Sequence, residues 1–239
     1  MSRVVLVTGS TSGIGAAVAH RFADAGDTVV YNSARSADVG QALAQATPNA
    51  HYVQADISEP EDCTRLIAEV ISRCGRLDVL VNNAGTTRVI DHRDLAAADV
   101  TVWREIFEVN VFGTWNLSVA AMGALRDAKG TIVNVTSLAG VRPTGSSIPY
   151  AASKAALNHM TALLAKAVGP DVRVNAVAPG LIDTPWTADW DDVRSAVARR
   201  SPLGRSGRPE DVADVVVALA GSAYVTGQVV VVDGGLGLA

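Results

Sequence analysis

Aromatic side chains make up only 5% of this 239-residue chain, and cysteine occurs twice. A core poor in rings has to be filled with Ala, Val, Leu and Ile, the residues favoured by buried parallel strands and the helices that cover them. Cys63 and Cys74 fall on one expected helix, where eleven residues at about 1.5 Å rise hold them about 16 Å apart, beyond disulfide reach. Two ordinary thiols fit a reducing compartment. His20, His51, His92 and His159 are scattered without ligand spacing, so no metal is expected. Basic residues form no run and the net charge is −4, which offers neither nucleic acid nor an anionic membrane an electrostatic hold. No apolar stretch approaches the roughly 20 residues that cross a bilayer. The amino terminus, MSRVVLVTGS, meets glycine too early for a signal-peptide core. The expectation is a cytoplasmic protein that acts on a small molecule, with no nucleic-acid or membrane partner.

What is present is aliphatic and periodic, with 49% of residues apolar. Short β-branched runs at 4–7, 28–31, 52–55, 79–81, 131–136, 172–177 and 229–232 alternate with helical stretches at 14–25, 39–46, 59–74, 99–127, 149–167 and 209–220. Alternation of this kind implies an α/β protein: a Rossmann-type, doubly wound sheet of about seven parallel strands flanked by helices. One domain over 1–239 is expected. The stretch 184–208 has no strand and is the natural lid over a site.

Two local patterns carry chemistry. The first strand runs into Thr8, Gly9, Ser10, Thr11, Ser12, Gly13, Ile14 and Gly15, then into a helix whose N-terminal amides can receive a pyrophosphate. Gly9 permits the tight turn, while Gly13 and Gly15 allow close approach. A plain structural turn is the competing reading. Further along, Tyr150 and Lys154 stand four apart in YAASK, which places them side by side on a helix opened by Ser146 or Ser147 and Pro149. A phenol of pKa near 10 needs roughly 4 kcal/mol of preferential phenolate stabilisation to titrate near 7. A neighbouring ammonium and the helix N-terminus both act in that direction. The spacing also arises by chance in ordinary helices.

Taken with Asn82, Asn83, Ala84 and Gly85 after the fourth strand, Asn110, Ser137 thirteen residues before Tyr150, and Pro179-Gly180, these motifs resemble the short-chain dehydrogenase/reductase family over nearly the whole chain. Many close relatives reduce 3-oxoacyl groups carried on acyl carrier protein. The resemblance implies an NAD(P)-dependent oxidoreductase that interconverts a ketone or 3-oxo group and a secondary alcohol. Ser137 would then bind the substrate oxygen, Tyr150 would exchange its proton, and Lys154 would depress the tyrosine pKa and hold the nicotinamide ribose. Asn110 would interrupt its helix and keep a water near the lysine. In the same way, Asn83, Ala84 and Gly85 would line the adenosine ribose, and Asp56 with Ile57 would hold the adenine. Pro179, Gly180, Ile182 and Thr184 would meet the nicotinamide amide. Asn82, Thr8 and Asp78 read as structural, and for Asp56 an N-cap near Ser58 competes. The family also implies a homotetramer, with the Ala-rich helix of Tyr150 and the terminal VTGQVVVVDGG as surfaces.

Cofactor choice turns on the end of the second strand. An acidic residue there would accept NAD ribose hydroxyls, but the position is Ser33, with Arg35 two residues on, a pair suited to a 2′-phosphate. NADP is favoured over NAD. Trp186 and Trp190, at helical spacing, either wall the substrate or serve lid packing or a subunit contact, two readings that stand level. Arg126 and Lys129 are candidate contacts for an acidic carrier protein, opposed by Asp171 in the loop before the sixth strand. A second function, a non-catalytic dinucleotide-sensing regulator on the same fold, predicts an eroded tetrad. Epimerisation would need a longer C-terminal region, and enoyl reduction a wider Tyr-to-Lys spacing in related enzymes.

Overall fold

The computed structural model describes residues 2–238, so Met1 and Ala239 of the expected 1–239 unit lie outside the described residues. Seven strands form one parallel sheet in the order β3-β2-β1-β4-β5-β6-β7. They are β1 (Val4–Val7), β2 (Thr28–Ser33), β3 (Ala50–Gln54), β4 (Val79–Asn82), β5 (Thr131–Val135), β6 (Arg173–Pro179) and β7 (Val229–Val232). Helices α1 (Gly13–Asp24), α2 (Ala37–Ala46), α3 (Pro60–Cys74), α4 (Val100–Phe107), α5 (Thr114–Ala128), α6 (Ile148–Val168), α7 (Asp191–Arg200) and α8 (Pro209–Gly221) make the crossovers and cover both faces.

Successive side chains of a strand point to opposite faces, and the sequence uses this directly. Val4 and Leu6 enter a core with Leu66, Leu80, Leu117, Leu125 and Ile132, beneath α3 and α5. Val5 and Val7 enter the other core, with Phe22, Val79, Val81, Val212 and Val216, beneath α1 and α8. Burying one such side chain is worth roughly 1.5–3 kcal/mol. Two layers of this kind explain how so few rings suffice. The order in which successive strands are laid down reverses between β1 and β4, all strands staying parallel, and a doubly wound sheet opens its cleft there, beyond the carboxyl ends of the strands.

Two helical expectations need correction. The stretch expected as one helix over 99–127 is α4, then a π-helical turn at Glu108–Gly113, then α5. A helical period sees side-chain spacing but not tertiary partners, and here Asn110 is drawn out of register by bonds to residues on other elements. The stretch 184–208 has no strand, as expected, but it does hold a 3₁₀ turn at Pro185–Thr187 and the helix α7. The α7 sequence DDVRSAVARR has few apolar positions, so its periodicity is faint.

Buried polar groups tie the central strands together. Asn82 Nδ2 donates to Asn134 Oδ1 at 2.9 Å and to Ser118 Oγ at 3.2 Å, and Asn134 Nδ2 donates to Thr161 Oγ1 at 2.9 Å. β4, β5, α5 and α6 are thereby joined in a dry interior, the structural role expected for Asn82. Removing one member strands its partners. Asn134→Ala is expected to lower unfolding free energy by about 2–3 kcal/mol in denaturant titration; a loss below about 0.5 kcal/mol would show the chain of bonds to be dispensable.

Candidate active site

The cleft at the switch point begins with the loop after β1. Gly9 and Gly13 adopt φ of +59° and +54°, where side-chain-bearing residues are strained. A Cβ on Gly9 would lie 2.9 Å from Ala84 Cα, and one on Gly15 would lie 2.4 Å from Gly9 O. Thr8 Oγ1 accepts from the amides of Asn83 and Ala84, both at 3.0 Å, and Asn83 Nδ2 donates to the carbonyls of Thr8 and Gly9. Ser12, the residue before α1, caps none of the helix amides with its side chain. The first turn of α1 therefore faces the cleft with no side chain capping its amides, an arrangement able to receive an anion.

One end of the cleft, where adenosine is expected, is formed by the tips of β2 and β3. Ser33, Arg35, Asp56 and Ile57 all line the cleft. Ser33 Oγ lies 2.9 Å from Tyr52 Oη and accepts from the Ser36 amide at 3.3 Å. Arg35 is exposed and has no ion pair among the described residues. Asp56 does not cap a helix, because α3 is preceded by Glu59 and no side chain caps it; the Asp56 Oδ1 instead accepts from Ser58 N at 3.0 Å and Ser58 Oγ at 2.7 Å within the turn before α3.

At the opposite end Ser137, Tyr150 and Lys154 share one wall. Ser147 Oγ accepts from the Tyr150 amide at 3.3 Å and Pro149 sits in the first turn of α6, as the sequence implied. Lys154 Nζ is buried, donates to Val135 O at 3.0 Å and lies 5.8 Å from the Tyr150 ring centroid. Desolvation pushes this ammonium down from 10.5 to about 8. Tyr150 moves upward, because burial raises it more than the facing Ser137 hydroxyl lowers it. The phenol therefore stands above its ordinary value on balance: spacing along a helix reveals the cation, but not the loss of water around both groups.

Asn110 stands behind this wall rather than in it. It is fully buried; its Oδ1 accepts from Thr86 N at 2.8 Å, and its Nδ2 donates to Thr86 O and to Ser153 Oγ, both at 3.0 Å. A Cβ on Gly85 would lie 3.2 Å from Asn110 Oδ1 and 3.5 Å from Lys154 Nζ, so the three residues meet at one point. Ser10 also departs from expectation. It is fully buried and accepts from the Asn32 amide at 2.9 Å, fastening the glycine loop to β2 from inside.

Gly9, Thr11, Ser12, Gly13, Ile14, Gly15, Asn83, Ala84, Gly85, Pro179, Gly180, Ile182 and Thr184 line the same cavity, of about 1370 Å³. Thr184 stands opposite Gly13, its Cγ2 3.2 Å from where a Cβ would be. Trp186 meets Tyr150 edge to face, with ring centroids 6.5 Å apart, and Trp190 lines the cavity beyond it. The two tryptophans do not share a helix as their spacing suggested, because Trp186 is in the 3₁₀ turn and Trp190 precedes α7. Arg126 and Lys129 lie at the end of α5, before β5 begins, and Asp171 precedes β6. All three are at the edge of the sheet opposite the cleft, so neither side of the carrier-protein argument bears on the mouth.

Several wall residues went unread. Val89, Ile90 and His92 follow β4, Pro143 and Thr144 follow β5, and Val193 and Val197 come from α7. Thr87 Oγ1 and Ser146 Oγ, 2.6 Å apart, join the first two loops. The rule that sites gather at carboxyl strand ends was the available signal for these loops.

With this geometry in view, the chain matches a family model described as enoyl-(acyl carrier protein) reductase over residues 9–237. It is 57% identical over 236 residues to a protein of Streptomyces violaceoruber described as ketoacyl reductase 2 of the granaticin polyketide synthase, covering 97% of this chain and 95% of that one. Among solved structures it resembles a short-chain dehydrogenase/reductase from Burkholderia xenovorans, with TM-score 0.93, 37% identity and coverage of 100% and 99%. It also resembles ElxO with NADP bound, with TM-score 0.91, 29% identity and 99% of each chain covered.

A lysine held near 8 is charged below that pH and neutral above it. Dinucleotide affinity is therefore expected to fall as pH rises through about 8, where Lys154 loses its proton. Fluorescence titrations between about pH 6.5 and 9.5 on the wild type and Lys154→Met check this, with the variant weaker and flat across the range. A flat wild-type profile would take the ammonium out of binding.

Proposed function

Because this chain belongs to the short-chain dehydrogenase/reductase family, and so is an NAD(P)-dependent oxidoreductase interconverting a ketone and a secondary alcohol, we propose that Ser137, Tyr150 and Lys154 perform the reaction on a 3-oxoacyl thioester with NADPH. One observation carries this reading: Ser137 and Tyr150 face the cleft together while the Lys154 ammonium is buried beside the Tyr150 ring. The dinucleotide, when bound, supplies the hydride for reduction or accepts it in oxidation. Helix α1 and the loop from Gly9 to Gly15 would hold its pyrophosphate, Asn83, Ala84 and Gly85 the adenosine ribose, and Asp56 and Ile57 the adenine. Thr184 and its neighbours would hold the nicotinamide amide, and Lys154 the adjoining ribose.

In reduction the Tyr150 hydroxyl gives its proton to the substrate oxygen as negative charge develops there, and the Ser137 hydroxyl donates a hydrogen bond to the same oxygen. Burial holds the Tyr150 proton in place, so the residue enters the reduction in its acid form. Asn110 acts through position: both its N–H donors are used on protein atoms, and it holds the loop after β4 against the lysine. The family description names enoyl reduction, whereas the four-residue spacing of Tyr150 and Lys154 and the ketoacyl reductase relative support carbonyl chemistry.

NADPH is supported by the absence of a carboxylate at Ser33, by the unpaired guanidinium of Arg35, and by likeness to a structure with NADP bound. The segment 184–208 is the lid, with Trp186 and Trp190 as its apolar inner surface. Phe112, Trp115 and Val119 leave a half-exposed apolar stripe along the π turn and α5, and Val231 is 41% exposed on the edge strand β7; both support a homotetramer. No helix of the described residues is long and apolar enough to cross a membrane. With Cys63 and Cys74 both free thiols, this supports a cytoplasmic enzyme.

An NADPH-oxidation screen against simple ketones, 3-oxoacyl thioesters and sugars tests the reading. Turnover is expected on the thioesters, with kcat reduced about 10²- to 10⁴-fold in Tyr150→Phe while dinucleotide binding persists. Binding without turnover on any carbonyl would revive the sensing regulator. Trp186→Ala is expected to raise KM for bulky acyl substrates about tenfold and for small ketones much less. Equal effects would remove the tryptophan from substrate contact.

A further inference from the structure

β2 and β3 run parallel with Tyr31 opposite Tyr52 and Ser33 opposite Gln54. From this register the Tyr52 phenol reaches along the neighbouring strand to Ser33, with Oη 2.9 Å from Oγ. The ring that carries it is fixed in place. Helix α2 crosses so closely that a Cβ on Gly40 would lie 2.2 Å from Tyr52 Cε2.

We propose that Tyr52 is a positioning residue for cofactor choice, turning the Ser33 hydroxyl into a donor aimed at the 2′-substituent of the adenosine ribose. The proposal rests on the NADPH reading above. A serine hydroxyl has one proton and two acceptor sites. The Ser36 amide occupies one acceptor site at 3.3 Å. If Tyr52 donates to the second at 2.9 Å, both lone pairs are filled and the proton of Ser33 is left for the cleft, which Ser33 lines. The alternative sends the tyrosine proton to the Ser33 carbonyl, 3.4 Å away, and turns a serine lone pair outward. A 2′-phosphate accepts hydrogen bonds and selects the first arrangement. A 2′-hydroxyl both donates and accepts, and tolerates either. Tyr52 does not line the cavity and so acts only through Ser33.

Tyr52→Phe keeps the ring against Gly40 and removes only the hydroxyl, so unchanged thermal unfolding is expected. The KM for NADPH should rise about five- to tenfold, the scale of one hydrogen bond. kcat and the KM for NADH should stay within about twofold, and in a Ser33→Ala background the substitution should add nothing. An unchanged NADPH KM, an equal rise for both cofactors, or an effect that persists without the serine hydroxyl would each overturn the proposal. Failure of the underlying reading looks different: Ser33→Ala would leave the NADPH-to-NADH ratio of kcat/KM unaltered, which removes Ser33, and Tyr52 with it. A loss in Ser33→Ala that Tyr52→Phe does not share would sink the positioning role while leaving the NADPH reading intact.

Discussion

The cleft depends on two residues that bridge the gap where β1 and β4 part. Thr8 accepts the amides of Asn83 and Ala84, and Asn83 returns its side-chain N–H groups to the carbonyls of Thr8 and Gly9. Backbone thus meets backbone at a distance only glycine allows, and the glycine loop is held against the loop after β4 without occupying the cleft with side chains. The uncapped first turn of α1, the approach of Gly85 to Lys154 and the path of the following loop past Asn110 all inherit their positions from this clamp. The buried Asn82–Asn134–Thr161 chain, one layer down, carries the same order into α6, where Tyr150 and Lys154 stand.

The strands were legible because a parallel strand buried on both faces favours an apolar, β-branched run, and Val4–Val7 begins and ends where its run does; Val229–Val232 on the half-exposed edge keeps the same composition. The site was legible where its residues are dictated by local geometry: glycines at positive φ, a serine cap before Tyr150, and a lysine one turn beyond. What escaped was tertiary. The interruption at Asn110 was implied by the family resemblance, but its cause was not: Asn110 finds Thr86 and Ser153, residues distant in the chain. Ser10 is part of the right motif yet faces β2, a fact no pattern of residue types contains. Asp56 has the chemistry of an adenine contact and spends one carboxylate oxygen on Ser58.

The electrostatics follow one theme, in which burial competes with charge. Lys154 is shifted toward neutrality and Tyr150 toward its protonated form by the same loss of water. A pair read from spacing alone looks like a cation that activates a phenol; in a dry wall it is a weakly held proton beside a firmly held one. The Val135 carbonyl takes a hydrogen bond from the ammonium and helps fix that cation's place.

The excursion that carries Trp186, Trp190 and α7 leaves and rejoins the body of the protein at one place, where Ile182 bridges Gly207, Asp183 N donates to Gly207 O at 2.8 Å and Gly207 N donates to Leu181 O at 2.9 Å. A loop whose two ends are already stapled together can grow, shrink or be rewritten at small entropic expense, because each doubling of its length adds only about 0.6 kcal/mol. The sheet would not register the change, and the proton-transfer residues would meet it only where Trp186 packs against Tyr150. In evolutionary terms, a segment joined to the rest through one closed neck is the part of the molecule freest to vary.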